Sequence, residues 1–379
     1  MERRIVVSTI GTSLLTNPID RGNPNEKDWQ TKLRDAANLN ADELPDDVKV
    51  IMETLKERAI AKLDQAKVSD IRRVSAELNG IYGLYDEQIL DGKQDIHHLV
   101  ATDTAQGIMT AEIVQNFLQS KGIPQVNIQS PKGLSTVSTE NFAAGIDELI
   151  VWLREKIAPM RSSYRVCFNL VGGFKALQGC MNSIGMFYAD EIIYIFEGEG
   201  SKLIKIPRLP IQVDTTAIAP HVMMLSRIKA GYEPDAQEVA GMPEAMLWEM
   251  DGKKLFSTWG ELIWEEVKLD LLSQDLLPFP YLVYADTFRS DYKSLKDSKE
   301  RLKLQEVLAR VSVLLDRSNG DLTALKADGG IQYERYKGSD SIDHFRMNLA
   351  VRVSCRAIGK TLELRFYGTH NHVERSEKI

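Results

Sequence analysis

The chain has 379 residues, of which 43% are hydrophobic and 27% are charged, and its formal net charge is −7. These values are ordinary for a globular protein, and no apolar run approaches the roughly 20 residues that a membrane-spanning helix needs. The three cysteines are scattered without disulfide or zinc spacing, and the first residues enter a predicted strand without a signal-peptide pattern. We therefore expect two or three domains in a cytoplasmic protein that uses no metal ion and no cofactor.

The charge is unevenly distributed along the chain. Residues 1–284 hold 29 Lys and Arg against 40 Asp and Glu, whereas residues 285–379 hold 18 Lys and Arg against 14 Asp and Glu. A polyanion such as RNA is attracted to a surface with an excess of positive charge. The C-terminal quarter is therefore the part of the chain that we expect to face a polyanion.

Alternating strands and helices are predicted for the first 210 residues. Helices dominate residues 17–95, including one at 69–84, and others are predicted at 107–121, between 139 and 157, and at 176–188. The predicted strands are 5–10, 95–101, 125–129, 165–171 and 191–196. Short strands that alternate with helices are typical of βαβ units, so we expect a parallel sheet.

Two strand ends carry turns suited to a phosphate group. The stretch RVCFNLVGGFK, residues 165–175, ends in a Gly-Gly turn and a lysine at the start of a helix, and the first strand ends in Gly-Thr-Ser at residues 11–13. The carboxyl ends of parallel strands share one edge of the sheet, where backbone N–H groups and a helix N-terminus favour an anion. Neither turn matches the dinucleotide fingerprint or the phosphate loop, so ordinary βα turns are the alternative interpretation.

Residues 211–280 differ in composition from the segments on either side. Helices are predicted at 221–230, 235–240 and 259–272, together with a hairpin at 247–256 that turns at Asp251-Gly252. This arrangement resembles a winged helix-turn-helix. Because the segment is acidic, we favour the alternative of a compact helical linker domain that does not contact nucleic acid.

The C-terminal segment is predicted to form a small sheet beside a long helix. The predicted elements are a strand at 281–285, a helix at 292–316, strands at 331–336 and 345–355, and a last strand at 361–367. Cations interleaved with aromatic rings on a sheet suit single-stranded RNA, whereas a solvated sheet face is the alternative. The residues concerned are Arg335, Lys337, Arg346, Arg352, His370, His372, Tyr333, Tyr336 and Tyr367.

The first 210 residues resemble the CRISPR-associated Rossmann-fold (CARF) sensor family, through STIGTSLLTN, NLVGGFK and the intervening AELNGIYGL segment. The resemblance implies a Rossmann-like α/β domain whose homodimer binds a cyclic oligoadenylate across its two-fold axis. We call this cyclic oligoadenylate the ring. Cyclic tetra-adenylate is our choice because four units divide evenly over two subunits, although six would too. By motif position the resemblance implies ligand contacts from Gly11, Thr12, Ser13, Asn169, Gly172, Gly173 and Lys175. We add Thr102, Asp103 and Thr104, which follow the neighbouring predicted strand.

About residues 285–379 resemble the RelE family of mRNA interferase toxins, through YERYK, HFRMNL and LELRFYGTHNH. The resemblance implies an α+β domain that cleaves mRNA in the ribosomal A site without a metal ion. Many members carry a tyrosine after the Gly-Thr-His turn, and its absence here leaves open which histidine transfers protons. The catalytic candidates are Arg335, Lys337, Arg346, His370 and His372. We expect Arg335, Lys337 and Arg346 to converge on one phosphate. Phe345 and Met347 should face away from Arg346, because side chains alternate across a strand.

Together these features predict three domains: a sensor at 1–210, a winged-helix-like linker domain at 211–280 and a RelE-like ribonuclease domain at 281–379. Such a chain resembles a CARF–RelE fusion effector of a type III CRISPR system, an antiviral mRNA interferase activated by a cyclic oligoadenylate. The expected partners are the ring, the ribosome with its mRNA and a second copy of the chain, and no membrane is expected. Three alternatives remain: a ligand-regulated transcription factor, a sensor joined to a metal-dependent nuclease, and a ring nuclease that degrades the cyclic oligoadenylate.

Replacing Lys175 by alanine should abolish activation by the ring and leave the fold intact. Lys175 follows the glycine turn, where its ammonium group should contact a phosphate of the ring. A charge-assisted hydrogen bond contributes about 1.5–3 kcal/mol, and a homodimer would lose two of them. Calorimetric titration with cyclic tetra-adenylate measures the loss, and an unchanged affinity would contradict this prediction.

Overall fold

The computed structural model describes residues 2–196 and 202–378 of the chain. The chain divides into two compact units, residues 1–211 and residues 212–379. In the described residues no helix is both long enough and apolar enough to cross a bilayer. The predicted division of the second unit at residue 280 stays a prediction.

The first unit is an α/β domain built on a six-stranded sheet. The sheet order is third, second, first, fourth, fifth, sixth strand, and only the sixth, an edge strand, runs antiparallel to its neighbour. This arrangement confirms the predicted parallel sheet. The strands are β1 (Arg4–Thr9), β2 (Ile96–Val100), β3 (Val126–Gln129), β4 (Arg165–Asn169), β5 (Glu191–Ile195) and β6 (Leu203–Pro207).

Helices cover this sheet, so that the central strands β1 and β4 are buried on both faces. Their sequences, RIVVST and RVCFN, are accordingly apolar without alternation, as expected for central parallel strands. The helices are α1 (Ser13–Thr16), α2 (Trp29–Asp35), α3 (Asp46–Gln65), α4 (Val68–Val74), α5 (Ala76–Leu84), α6 (Ala105–Ser120), α7 (Thr139–Trp152) and α8 (Lys175–Tyr188). A π-helical segment, Leu153–Ile157, extends α7 to the predicted end.

The predicted helix at 69–84 is two helices, α4 and α5, which are separated at Ser75. The backbone of Ser75 is extended, and its hydroxyl accepts a hydrogen bond from the N–H of Leu78. Serine at this position satisfies an otherwise unpaired N–H group and starts a new helix. The break turns α5 toward the carboxyl edge of the sheet, where it contacts β4, β5 and β6.

The second unit combines a five-stranded sheet, a separate hairpin and six helices among the described residues. The hairpin strands are β7 (Leu247–Met250) and β8 (Lys253–Phe256), and the sheet strands are β9 (Leu282–Tyr284), β10 (Glu334–Arg335), β11 (Asp343–Arg346), β12 (Val351–Ile358) and β13 (Thr361–Thr369). The helices are α9 (Val222–Lys229), α10 (Thr258–Leu272), α11 (Asp286–Ser294), α12 (Ser298–Arg317), α13 (Thr323–Ala327) and α14 (His370–Glu377). The sheet order is β10-β11-β12-β13-β9, and β9 alone pairs in parallel.

Helix α12 connects the sheet of the second unit to the helices that precede it. Its apolar stripe packs into the core beneath the sheet, whereas its other side contacts α9 and α10. Arg227 of α9 forms an ion pair with Asp316 of α12. The side chain of Gln305 donates hydrogen bonds to the carbonyls of Leu272 and Asp275. Residues 212–280 therefore pack with the C-terminal sheet in one compact unit.

The predicted helix at 235–240 is wrong, because this segment forms turns. Asp235 accepts hydrogen bonds from the N–H groups of Gln237 and Glu238, as at the start of a helix. Gly241 then adopts φ +82°, and Pro243 follows. A left-handed glycine and a proline stop the segment before a helix can form.

Two other predicted elements of the second unit are each broken in two. The predicted helix at 292–316 begins at Ser298, because the side chain of Asp297 caps α12 and α11 ends at Ser294. The predicted strand at 345–355 is split between β11 and β12. Here the side-chain oxygen of Asn348 accepts from the N–H groups of Ala350 and Val351 and forms a tight turn.

Replacing Gly80 by alanine should lower the free energy of unfolding of the first unit. A Cβ atom on Gly80 of α5 would overlap the side-chain amide of Asn169, so helix and strand must move apart. Overpacking of this kind costs about 1–3 kcal/mol. Differential scanning calorimetry measures the change.

Gly179→Ala is the matched control, because Gly179 lies in α8 and an added Cβ there meets nothing within 4 Å. It should stabilise the protein by about 0.5–1 kcal/mol through the gain in helix propensity. Equal melting temperatures for the two variants would contradict the close contact between α5 and β4.

Candidate functional sites

Three strand ends of the first unit meet at one edge of the sheet. β1 is hydrogen-bonded to β2 on one side and to β4 on the other. The turns after these strands, at residues 11–13, 102–104 and 170–175, are therefore neighbours. The predicted adjacency of the two candidate phosphate turns is confirmed.

Side chains of β1 and α8 hold the turn that follows β4. The hydroxyl of Thr9 donates to the carbonyl of Gly172 over 2.6 Å, and the side-chain amide of Gln178 donates to the same carbonyl over 2.9 Å. Gly173 adopts φ +90°, which other residues rarely do, and a Cβ there would approach Thr9. Gly173 is thus required by the backbone of this turn, whereas Gly172 leaves room for the side chain of Glu77.

Several predicted ring contacts are accessible at this edge. Lys175 is exposed and is the first residue of α8, where the helix N-terminus also favours an anion. Gly11, Thr12, Ser13 and Gly173 are half-buried. The hydroxyl of Ser13 makes no hydrogen bond to any described residue. The side chain of Lys175 is therefore available to a ligand, whereas the hydroxyl of Ser13 is buried.

Other predicted contacts are already engaged within the protein. The buried side chain of Asn169 donates to the carbonyl of Glu77 and to the hydroxyl of Ser8. Gly172 is buried beneath Glu77. The ring-binding roles of Asn169 and Gly172 stay predictions, which the internal contacts do not strengthen.

The turn after β2 is likewise tied together by its own side chains. Asp103 accepts from the N–H of Gly133, and Thr104 caps α6 by accepting from the N–H of Gly107. The hydroxyls of Thr102 and Thr104 lie 3.0 Å apart. These contacts account for the polar residues of this turn, and their predicted contacts to the ring stay predictions.

In the second unit, cross-strand pairing brings a set of cationic and polar side chains to one face of the sheet. Glu334 lies opposite His344, and Arg346 lies opposite Arg352. Residues that lie opposite each other, and residues two apart on one strand, point to the same side. We call this side the arginine–histidine face; it carries Glu334, Tyr336, His344, Arg346 and Arg352.

The opposite face of the sheet is part of the hydrophobic core. Phe345 and Met347 alternate with Arg346 and pack into this core, together with Val353. The predicted orientation of these two residues away from Arg346 is therefore observed.

His344 is nearly enclosed on the arginine–histidine face. Its side chain is 7% exposed, and the ring of Tyr336 covers it with a centroid distance of 4.2 Å. Neither ring nitrogen has a hydrogen-bond partner among the described residues. Burial, and then the positive charge of Arg352, lower the pKa of His344 to about 4, so its imidazole is neutral near pH 7.

Arg346 and Arg352 place two like charges side by side. One nitrogen of Arg346, Nη2, lies 3.2 Å from the carboxylate of Glu334. The Nε atoms of both arginines are buried without a partner in the described part of the chain. Two adjacent guanidinium groups with unused donors suit an anion such as a phosphate, which can accept from both.

Helix α14 separates the two candidate histidines. The N–H of His370 donates to the carbonyl of Ala350, and its Nε2 lies 3.0 Å from a carboxylate oxygen of Glu374. His370 is also one of the charges that lower the pKa of His344, so it belongs to the arginine–histidine face. The ring of His372 instead lies against Gly368, with its Nε2 3.6 Å from Asp291 of α11.

Arg335 and Lys337 do not join Arg346, contrary to the expectation that all three meet at one phosphate. Arg335 lies opposite Asp343 on the other face, and its Nε is 2.7 Å from that carboxylate, which also accepts from Tyr333. β10 ends at Arg335, so the exposed Lys337 lies in the turn beyond it. The odd and even positions of a two-residue strand point to opposite sides, which separates Arg335 from the face that holds Arg346.

The arginine–histidine face contains three residues that the sequence-based catalytic assignment omitted: His344, Arg352 and Tyr336. His344 and Arg346 are two apart in DHFR and therefore share a side of β11. That alternation was available in the sequence. It was missed because the strand was expected to begin at Phe345.

Six buried polar atoms on this face lack a hydrogen-bond partner among residues 2–196 and 202–378. Buried polar groups in folded proteins nearly always have one, so a cluster of exceptions is typical of a site that binds a polar ligand. The atoms are Tyr336 Oη, both ring nitrogens of His344, the Nε atoms of Arg346 and Arg352, and His370 Nδ1. The described residues contain no group of three or more His, Cys, Asp or Glu side chains placed to hold a metal ion.

Comparison with known proteins gives two findings. Residues 72–209 match the family model of a CRISPR-associated protein, Cas_APE2256. The RelB–RelE antitoxin–toxin complex from Methanococcus jannaschii contains a chain of which 96% aligns with 25% of this one, at 14% sequence identity and a TM-score of 0.18. That TM-score is too low to establish a shared fold. The family match supports a CRISPR-associated protein.

The imidazole of His344 should titrate with a midpoint of about 4 in the folded protein, against about 6.5 when unfolded. Between these values the unfolded chain binds a proton that the folded chain excludes. The free energy of unfolding should therefore fall as the pH drops from 6.5 toward 4.

NMR titration measures the midpoint, and comparison with His344→Gln isolates the contribution of His344 from that of other buried histidines. The variant should lose less stability over this range than the wild type does. A midpoint close to 6.5 for His344 would contradict its enclosure between Tyr336 and the two arginines.

Proposed function

We propose that this protein is a CRISPR-associated effector in which a cyclic oligoadenylate activates metal-independent cleavage of mRNA on the ribosome. The first unit binds the ring, with cyclic tetra-adenylate as the first choice, and acts as a homodimer. The second unit cleaves RNA at the arginine–histidine face. The protein requires no cofactor for this reaction, and its cleavage of mRNA arrests translation during an infection.

The observation that carries this proposal is the set of unpartnered donors and neutral imidazole nitrogens on one face of the sheet. Arg346 and Arg352 suit a phosphodiester, because each guanidinium group offers several donors to phosphate oxygens. His344 and His370 are groups of the kind that transfer protons in RNA cleavage. All four occur together in the small sheet that the sequence relates to mRNA interferases.

The proposed reaction is an attack by the ribose 2′-hydroxyl on the adjacent phosphorus. His344, neutral near pH 7, accepts the 2′-hydroxyl proton, the new P–O bond forms, and the bond to the 5′-oxygen breaks. His370 supplies the proton that the departing 5′-oxygen takes up. Arg346 and Arg352 stabilise the negative charge that develops on the phosphate. The products are a 2′,3′-cyclic phosphate and a 5′-hydroxyl end.

Access to His344 requires a movement on this face. Tyr336 stacks on its ring, and α14 lies across the same side, held by Glu377, which accepts from Ser354 and Arg365. RNA can reach the imidazole only when Tyr336 or α14 moves. We propose that binding of the ring is what favours that movement.

The sensor function rests on the match of residues 72–209 and on the turns at the edge of the parallel sheet. Lys175 and the N-terminus of α8 provide a cation and a helix end in one place. These groups suit the phosphates of a cyclic oligonucleotide. The proposed identity of the ring, a cyclic oligoadenylate, comes from the resemblance of the sequence to the CARF family.

Arg346→Ala should lower the cleavage rate by about 10²-fold or more, as loss of a single transition-state donor typically does. The assay is cleavage of mRNA on programmed ribosomes with cyclic tetra-adenylate present, with the chemistry of the cut ends determined. Affinity for the ring should be unchanged.

Lys326→Ala is the matched control, because Lys326 is an exposed cation of α13 and loses the same charge away from the arginine–histidine face. It should cleave at the wild-type rate. Near wild-type cleavage by Arg346→Ala would place the reaction elsewhere, and fragments with a 5′-phosphate instead of a 5′-hydroxyl would indicate a metal-dependent nuclease.

A further inference from the structure

A buried glutamate lies directly beneath the edge of the sheet where the ring is proposed to bind. Glu77, the second residue of α5, has no exposed surface. Its Oε1 accepts a hydrogen bond from the N–H of Gly11 over 2.6 Å, and its Oε2 lies 2.8 Å from the hydroxyl of Ser75. The carboxyl group thus connects α5 to the turn that follows β1.

The same side chain also contacts the turn that follows β4. A Cβ atom on Gly172 would overlap the carboxyl group of Glu77, and a Cβ on Gly11 would lie 3.3 Å from its Oε1. The glycines at both turns therefore leave the space that this carboxyl group occupies. One side chain fixes how far apart the two turns lie.

The backbone of Glu77 adds a third connection. Its carbonyl accepts from the side-chain amide of Asn169 at the end of β4, over 3.0 Å. Gly80, one helical turn later, lets Asn169 approach α5 this closely. The first turn of α5 is thereby bound to the ends of both central strands.

The groups that surround the Glu77 carboxyl are uncharged. They are the N–H of Gly11, the hydroxyl of Ser75, and the backbone of Gly172, and no charged side chain contributes to the shift of its pKa. Burial raises the pKa of Glu77 above its ordinary value.

We propose that Glu77 is a positioning residue of the ring-binding site, which holds the turns after β1 and β4 at the spacing that the ring requires. This inference rests on the proposed sensor function of the first unit. It assigns a role to the helical insertion between β1 and β2, because that insertion supplies Glu77. The side chain acts through Gly11 and Gly172 and does not itself touch the ring.

The test compares Glu77→Ala with Glu77→Gln in the full-length protein, by calorimetric titration with cyclic tetra-adenylate. Alanine removes the acceptor and should weaken binding by about tenfold or more. Glutamine has the shape of the neutral acid, keeps an acceptor for Gly11 and should restore affinity close to that of the wild type. Equal binding by Glu77→Ala and wild type, or equal loss in both variants, would overturn the proposal.

Glu26→Gln is the control for loss of a buried acid elsewhere in the first unit. Glu26 forms an ion pair with Arg58 and bonds to residues 20 and 23, and it contacts neither turn. The variant should lower the melting temperature and leave affinity for the ring unchanged. If it weakened ring binding as much as Glu77→Ala does, the effect of Glu77 would be one of general stability and the proposal would fail.

Hydrogen exchange at the Gly11 amide separates this inference from the sensor function itself. The amide should exchange faster in Glu77→Ala and at the wild-type rate in Glu77→Gln, with no ring present. If the wild type fails to bind the ring, the sensor function is wrong. An unchanged exchange rate of the Gly11 amide in Glu77→Ala would show that Glu77 does not hold the turn, whether or not the protein binds the ring.

Discussion

The arrangement of the second unit depends on one costly feature, the register that places Arg346 directly opposite Arg352. Like charges that face each other across a sheet destabilise it, and buried donors without acceptors add to that cost. A fold selected for stability alone would put an acid or an apolar residue at one of these positions. Such local conflict is typical of sites whose stability is completed by a ligand, and a phosphodiester offers negative charge and acceptors beyond those of Glu334 on this face.

The first unit uses a buried acidic group, whereas the second unit brings two basic groups together. Its proposed ligand is an anion, and the protein must hold two glycine turns close together without adding charge near the phosphates. The carboxyl group of Glu77 connects the two turns through uncharged groups, and burial raises its pKa above the ordinary value. The two units therefore use buried polar groups in contrasting ways. Both carboxyl oxygens of Glu77 have hydrogen-bond partners, whereas the imidazole of His344 has no hydrogen-bond partner among the described residues.

Much of the architecture was predictable because it follows from short-range patterns. Apolar strands that alternate with helices gave the parallel sheet, and the glycine turn at 358–360 gave the hairpin of β12 and β13. The breaks at Asn348 and Asp297 were missed because each depends on one side chain that bonds to nearby backbone N–H groups, which hydrophobic periodicity does not register. Propensity for a helix at 235–240 was overridden by a left-handed glycine and a proline.

The sites were less predictable than the fold. Arg346 and His370 were assigned from motif position, but a strand start placed two residues too late excluded His344 from the strand. Arg335 was grouped with Arg346 because pairing partners, which set the face of a side chain, are invisible before β10 and β11 are aligned. No pattern in the sequence indicates that Glu77 is buried or that it contacts the two turns. A glutamate in the first turn of a helix ordinarily faces solvent, and only the tertiary contact with Gly11 and Gly172 shows its burial.

The most direct test of this account is to map the ends of mRNA cut by the full-length protein on translating ribosomes, with each cyclic oligoadenylate in turn. Cleavage within the ribosomal A site is expected only when an activating ring is present. The fragments should carry a 2′,3′-cyclic phosphate and a 5′-hydroxyl. Cleavage without any ring, or fragments with a 5′-phosphate and a 3′-hydroxyl, would contradict this account.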